Sequence, residues 1–64
     1  MTGRIKNVNK EKGFGFILGE DGKEYFMHRS ALKNAQFEAL ERGQDVTFEE
    51  TEGQKGPRAE DIYI

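Results

Sequence analysis

Hydrophobic and polar residues alternate along five short stretches of the chain, which is the pattern of half-buried β-strands. The stretches cover residues 2–9, 14–18, 24–28, 44–51 and 58–64. An Asp-Gly pair between the second and third stretches predicts a hairpin there. Because the rest of the chain holds too little helix to cover a sheet, the pattern predicts an all-β fold closed as a small barrel. A length of 64 residues allows one domain, over residues 1–64.

The connections between the predicted strands are polar. Residues 29–32 predict a short helical turn after the third strand. Residues 37–42 could form a second short helix, which would need Phe37 and Leu40 as anchors because it is too short to be stable alone. Residues 53–57 predict a loop. The residues expected to face the core are Ile5, Ile17, Tyr25, Met27, Val46, Phe48, Ile62 and Ile64.

Residues 12–17, Lys-Gly-Phe-Gly-Phe-Ile, hold the most informative alternation in the chain. On a strand, Phe14 and Phe16 share one face and Ile17 lies on the other. If Ile17 faces the core, both rings lie outside, beside glycines that leave room for a flat ligand. The alternative buries both rings and exposes Ile17, and this strand alone does not decide between the two.

The third predicted strand favours the outward arrangement. If Tyr25 and Met27 face inward, Phe26 and His28 face outward, whereas the reverse would bury a histidine at a polar cost. The hairpin then gathers four ring side chains on one surface, a patch too large to be incidental on a soluble monomer. Exposed rings beside a cation, here Lys12, are typical of surfaces on which nucleic-acid bases stack.

The charges of the chain are unevenly distributed. Residues 1–33 hold seven Lys or Arg against four Asp or Glu, whereas residues 34–64 hold three against eight. The net charge of −2 does not itself indicate nucleic-acid binding. The basic half nevertheless contains the predicted ring-bearing strands, and it is the local potential that steers an anionic ligand.

Several classes of protein are disfavoured by composition. The chain has no cysteine and one histidine, so neither a disulfide nor a zinc site is expected, and we predict no metal and no cofactor. No apolar run reaches membrane-spanning length and no signal peptide opens the chain, so we expect a cytoplasmic protein without a membrane partner. His28 and Ser30 have no evident oxyanion site beside them, and we predict that the protein is not an enzyme.

Two motifs at this spacing resemble those of cold-shock domains. Residues 12–17 resemble the first ribonucleoprotein-type motif of that family, and residues 26–28, Phe-Met-His, resemble the centre of the second. The resemblance covers essentially the whole chain. Further matches are Asn9, Ser30-Ala31-Leu32, the turn at Gly43 and Lys55-Gly56-Pro57. The resemblance implies a five-stranded antiparallel OB-type barrel with a short helical turn after strand three.

The resemblance also implies a function. It implies a monomer that binds single-stranded RNA and DNA with little sequence preference and has no small-molecule substrate. It further implies a role as an RNA chaperone or as a regulator of transcription or translation in the bacterial cytoplasm. The residues it places in contact with nucleic acid are Lys6, Lys12, Phe14, Phe16, Phe26, His28, Arg29, Phe37 and Arg58. Of these, Phe37 is equally well explained as an anchor of the long loop.

The sequence departs from the family pattern at positions that matter for binding. Asn7 and Val8 stand where a Trp-Phe pair is usual, and Arg29 stands where another Phe follows the histidine. Tyr25 and Glu50 replace aliphatic or apolar residues. Since stacking contributes roughly 1–3 kcal/mol per base, we predict a shorter site with weaker, more salt-dependent binding, partly compensated by the guanidinium of Arg29.

A second hypothesis belongs to a different class. A cold-shock-like barrel that has lost much of its nucleic-acid affinity could serve as a protein-interaction module. The acidic second half of the chain and the missing Trp-Phe pair favour this alternative.

Overall fold

A computed structural model describes residues 1–53 and 56–64 of the protein. Its strands are β1 (Thr2–Asn9), β2 (Phe14–Gly19), β3 (Glu24–His28), β4 (Asp45–Gly53) and β5 (Gly56–Tyr63). The predicted loop over residues 53–57 includes Gln54 and Lys55, which lie outside the described residues. On either side of them Gly53 pairs with Gly56, so the hairpin between β4 and β5 extends further than the sequence predicted.

The five strands close into a barrel in the order β1-β2-β3-β5-β4, which confirms the predicted all-β architecture. Four of the pairings are antiparallel, as expected. The expectation of a fully antiparallel barrel is wrong at one seam, where β3 pairs with β5 in parallel through Phe26 and Arg58. The reason is topological: β3 and β5 are not consecutive, and β5 reaches β3 after β4 has crossed to pair with β1.

Side chains from every strand fill the barrel interior, together with residues of the connection between β3 and β4. Tyr25 packs against Phe48 there, with 5.0 Å between the ring centroids. The buried residues are Ile5, Ile17, Tyr25, Met27, Ala31, Phe37, Leu40, Val46, Phe48, Ala59 and Ile62. Seven of the eight predicted core residues are therefore confirmed, and this core fixes which face of each strand points outward.

The eighth, Ile64, is 39% exposed, so its predicted core position is wrong. β5 ends at Tyr63, so Ile64 lies beyond the paired part of the strand. β5 also contains a bulge, at which Asp61 adopts a positive φ of 48° and the register places two residues of β5 opposite one of β4. The extra residue shifts the alternation, so that Ala59 and Ile62 both face inward although they are three positions apart.

The connection from β3 to β4 contains two short 3-10 turns. The first, Arg29–Ala31, confirms the predicted helical turn. The second, Phe37–Ala39, is shorter than the helix considered over residues 37–42. Phe37 is only 5% exposed and lies in the core cluster, so the structure favours the loop-anchor alternative over an outlying stacking residue. The physical reason is that this polar connection has few other apolar side chains with which to close the barrel.

Candidate nucleic-acid interface

The outer surface of β2 and β3 carries the side chains of Phe14, Phe16, Phe26 and His28, which we call the aromatic face. All four are half-buried, whereas the intervening side chains of Ile17, Tyr25 and Met27 point into the core. This confirms the predicted face of both strands. The register pairs Phe14 with His28 and Phe16 with Phe26, so the four side chains form two adjacent rows.

Phe26 is the centre of the aromatic face. Its ring centroid lies 6.0 Å from that of Phe14 at an interplanar angle of 32°, and 5.9 Å from that of Phe16 at 75°. Both separations fall in the range at which aromatic rings attract each other. The three phenylalanine rings therefore form one continuous apolar surface.

The rows extend across the neighbouring strands. In the register, Phe16 lies opposite Asn7 on β1, while Phe26 lies opposite Arg58 on β5. Arg58 in turn lies opposite Thr51 on β4. Asn7 therefore lies next to Phe16 in this row, near the position at which the family pattern has an aromatic residue. At the other end of the row, next to Phe26, lies Arg58 with its guanidinium group.

Close packing beneath the aromatic face depends on Gly15. A Cβ atom at this position would lie 2.5 Å from the carbonyl oxygen of Asn7 and 2.9 Å from the Cε atom of Met27. Only glycine allows β1 to approach β2 at this point. The glycine between Phe14 and Phe16 therefore permits the close pairing of β1 with β2 beside the rings.

His28 is fixed by the 3-10 turn that follows it. Its Nδ1 atom accepts the backbone N–H of Ser30 at 3.2 Å and lies 2.9 Å from the Ser30 hydroxyl oxygen. Because Nδ1 accepts the Ser30 N–H, the neutral imidazole is assigned the tautomer that carries its proton on Nε2. The Nε2–H, on the edge of the ring away from Ser30, is thus available to donate a hydrogen bond to a ligand.

Arg58 lies against the aromatic face from β5. Its guanidinium carbon is 5.9 Å from the centroid of the Phe26 ring, at the outer limit of a cation–π contact. Its Nε atom is 2.7 Å from a carboxylate oxygen of Glu60, yet this buried nitrogen makes no hydrogen bond of acceptable geometry. The contact is therefore an ion pair in which the Nε–H is poorly directed.

A groove of about 710 Å³ runs between the aromatic face and the hairpin of β4 and β5. It is lined by Phe14, Phe16, Glu24, Phe26, Gly53, Gly56, Pro57 and Arg58. Sequence reasoning missed Glu24 and Pro57 as parts of this site. Glu24 could have been found, because the period of two that turns Phe26 and His28 outward also turns Glu24 outward.

The predicted cations occupy different surroundings. Lys6 donates a hydrogen bond to Glu24, so part of its charge is already compensated. Lys12 is exposed in the turn before β2. The side chain of Arg29 folds over Gly13, where an added Cβ would lie 3.0 Å from the Arg29 Cδ atom. Arg29 is thereby held near the start of β2, at the edge of the aromatic face.

Two departures from the family pattern, Tyr25 and Glu50, contact each other. The Tyr25 hydroxyl lies 2.6 Å from a carboxylate oxygen of Asp21 and 2.9 Å from one of Glu50. Hydrogen bonding to Tyr25 lowers the pKa of Asp21 below its ordinary value of 3.8. The same bond, with burial and the Glu50 contact, raises the pKa of Tyr25 above 10.0. This cluster ties the turn after β2 to β4.

Two other kinds of feature are absent from the described residues. Within residues 1–53 and 56–64, no group of three or more His, Cys, Asp or Glu side chains could hold a metal ion. No helix in the described part of the chain is long and apolar enough to cross a membrane.

The whole chain, residues 1–64, matches the family model described as a "cold-shock" DNA-binding domain. The chain belongs to the cold-shock domain family. Cold shock-like protein CspLB of Listeria monocytogenes is 51% identical over 62 residues, covering 97% of this chain and 94% of its own. Cold shock-like protein CspB of Bacillus cereus is 47% identical over 62 residues, covering 97% and 95%. Cold shock protein 2 of Lactiplantibacillus plantarum is 47% identical over 61 residues, covering 95% and 92%.

Membership of the cold-shock domain family supports nucleic-acid binding at the level of the family. The structure brings together Phe14, Phe16, Phe26, His28 and Arg58 on one surface, and places Lys12 and Arg29 at its edge. It leaves Phe37 in the core. The aromatic face and its groove are therefore the candidate interface of this cold-shock domain.

Proposed function

We propose that this cold-shock domain binds single-stranded RNA and DNA by stacking bases on the aromatic face. The observation that carries the proposal is the continuous surface of three phenylalanine rings beside an open groove. Stacking is tolerant of sequence because every base has a π-face, so little sequence preference follows. No bond is made or broken in this function, and the protein acts as a binding module rather than an enzyme.

Each side chain has a distinct part in the proposed complex. Phe14, Phe16 and Phe26 take the bases, while His28 stacks or donates its Nε2–H to a base edge or phosphate. Arg29 and Lys12 attract the phosphates at the edge of the face. Lys6 contributes less charge because Glu24 shares it. Arg58 contacts a base from the far side of the groove.

We further propose that a monomer of this protein holds or melts single strands in the cytoplasm, as an RNA chaperone or a regulator of transcription or translation. The resemblance of the whole chain to cold shock proteins supports this role. Asn7 beside Phe16 provides no ring, so the platform is smaller than the family pattern implies and the bound strand should be correspondingly short.

The alternative function is a protein-interaction module. It is supported by the exposed acidic side chains on the outside of β4, among them Asp45, Glu49 and Glu52. Under this alternative the partner would contact β4 and its surroundings rather than the aromatic face.

Fluorescence anisotropy with a labelled pyrimidine-rich oligonucleotide distinguishes the two functions. Phe16→Ala removes one ring at the edge of the aromatic face and should weaken binding by about fivefold or more. Leu18→Ala is the matched control, because Leu18 is 45% exposed on the same face of the same strand but does not line the groove. Equal affinities for the wild type and Phe16→Ala would refute the stacking proposal and favour the protein-interaction module.

A further inference from the structure

Arg58 and Glu60 lie two residues apart on the outer side of β5, so both point toward the same surface as the aromatic face. The buried Ala59 between them confirms that orientation. Both side chains are about two-fifths exposed, at 38% each. The pair is therefore a feature of the binding surface and not of the core.

The contact between Arg58 and Glu60 is close but poorly directed. The Glu60 carboxylate approaches Arg58 Nε to 2.7 Å without receiving a well-directed hydrogen bond. In this position the guanidinium lies 5.9 Å from the Phe26 centroid. The Glu60 carboxylate thus partly neutralises the charge of Arg58 at the end of the Phe16–Phe26 row, while the Arg58 Nε–H remains without a hydrogen-bond acceptor.

We propose that Glu60 is a latch that restrains Arg58 in the free protein and competes with nucleic acid for its guanidinium. A bound strand would draw the guanidinium from the carboxylate and direct the unsatisfied Nε–H to a base carbonyl or phosphate oxygen. Glu60 is then a positioning residue that lowers affinity and reduces the salt dependence that Arg58 contributes to binding. This inference rests on the proposed function of the aromatic face.

Neighbouring charges do not provide the same restraint. On β4, Glu49 lies directly opposite Glu60 in the register, and two like charges in that arrangement repel. Thr51, opposite Arg58, is uncharged, although its hydroxyl donates to the Arg58 carbonyl oxygen. Among the described residues, Glu60 is thus the carboxylate that forms an ion pair with Arg58.

The test compares Glu60→Gln with Glu49→Gln, which makes the same charge change at the directly opposing position. Affinity for a labelled pyrimidine-rich oligonucleotide is measured at several salt concentrations. We expect Glu60→Gln to tighten binding by roughly two- to fivefold more than Glu49→Gln, the range that exposed ion pairs support. The slope of log affinity against log salt should steepen by up to about 0.7, one extra phosphate contact with a single strand.

A double-mutant cycle with Arg58→Gln completes the experiment. If Glu60 acts through Arg58, the excess effect of Glu60→Gln over Glu49→Gln should vanish in the Arg58→Gln background. Equal effects of the two glutamate substitutions, or weaker binding by Glu60→Gln, would overturn the latch while leaving the proposed function intact. No binding by the wild type would overturn the proposed function, and this inference with it.

Discussion

Removal of the Phe26 ring should have the largest effect on binding of any substitution on the aromatic face. Phe26 is the one ring in contact with both other phenylalanines, and it also lies beneath the guanidinium of Arg58. Phe26→Ala therefore removes a stacking surface and separates its neighbours. Phe14→Ala and Phe16→Ala each remove one ring at the edge and leave a pair behind.

The magnitude follows from these contacts. One lost stacking surface costs about 1–3 kcal/mol, which corresponds to a roughly 5- to 150-fold weaker complex. Stability should fall as well, because two aromatic pairs of about 0.5–1.5 kcal/mol each and a cation–π contact are lost. Since Phe26 is only half-buried, we expect the cost in stability to stay below the ~3–5 kcal/mol of a fully buried phenylalanine.

The assay is anisotropy with a labelled oligonucleotide, with urea unfolding followed by circular dichroism to measure stability. Phe26→Leu serves as a second variant that retains most of the apolar volume but has no π-face, and it guards against loss of folding in Phe26→Ala. Both variants should bind at least fivefold more weakly than the wild type. Folded Phe26→Leu with wild-type affinity would refute the reasoning, because it would show that the platform acts only as apolar surface.

Two further predictions concern Arg29 and the Tyr25 cluster. Arg29→Ala should weaken binding at low salt and reduce the slope of log affinity against log salt by about 0.7. Arg42→Ala makes the same charge change at an exposed turn before β4 and should leave that slope unchanged. Equal reductions by the two variants in a salt titration would contradict a specific contact between Arg29 and the strand. Because Tyr25 lowers the pKa of Asp21, the wild type gains stability over Tyr25→Phe above about pH 3.8 and loses that gain as pH falls further. Urea unfolding between pH 2.5 and 7 measures this difference, and an advantage that grows in acid would be incompatible with the assignment.

The sequence was sufficient to predict the site-bearing strands. Strict alternation in β2 and β3 leaves two choices of face, and the cost of burying His28 selects one of them. The same period of two identifies the outward position of Glu24, which sequence reasoning overlooked. The direction of each of these side chains depends on its position in the strand's alternation, so the pattern of neighbouring residues is enough to predict it.

Features that depend on distant parts of the chain could not be predicted in this way. Ile64 has the same alternation as Ile62, but β5 ends at Tyr63, and the end of a strand depends on where its pairing with the neighbouring strand stops. Phe37 lies in a polar connection, and only the closed barrel shows that its ring fills the core. The contact of Arg58 with Phe26 likewise depends on the parallel pairing of β3 with β5.

The departures at Tyr25 and Glu50 illustrate the same point. In the sequence alone each is an unexplained departure from the family pattern, with a bulky phenol at a site for small aliphatic residues and a charge at a site for apolar ones. In the structure the Tyr25 hydroxyl lies within hydrogen-bond distance of the Glu50 carboxylate, so each residue provides a polar partner for the other. No period along the chain connects two residues that are 25 positions apart.

The aromatic face is tested most directly by amide and aromatic chemical shifts recorded while a short pyrimidine-rich strand is added to the wild-type protein. Stacked bases shift nearby resonances strongly, so the largest changes should fall on β2, β3 and the ring protons of Phe14, Phe16 and Phe26. Residues on the outer side of β4, such as Thr47 and Glu49, should change little. Changes centred on β4 with the ring protons unmoved, or no changes at all, would contradict base stacking on the aromatic face.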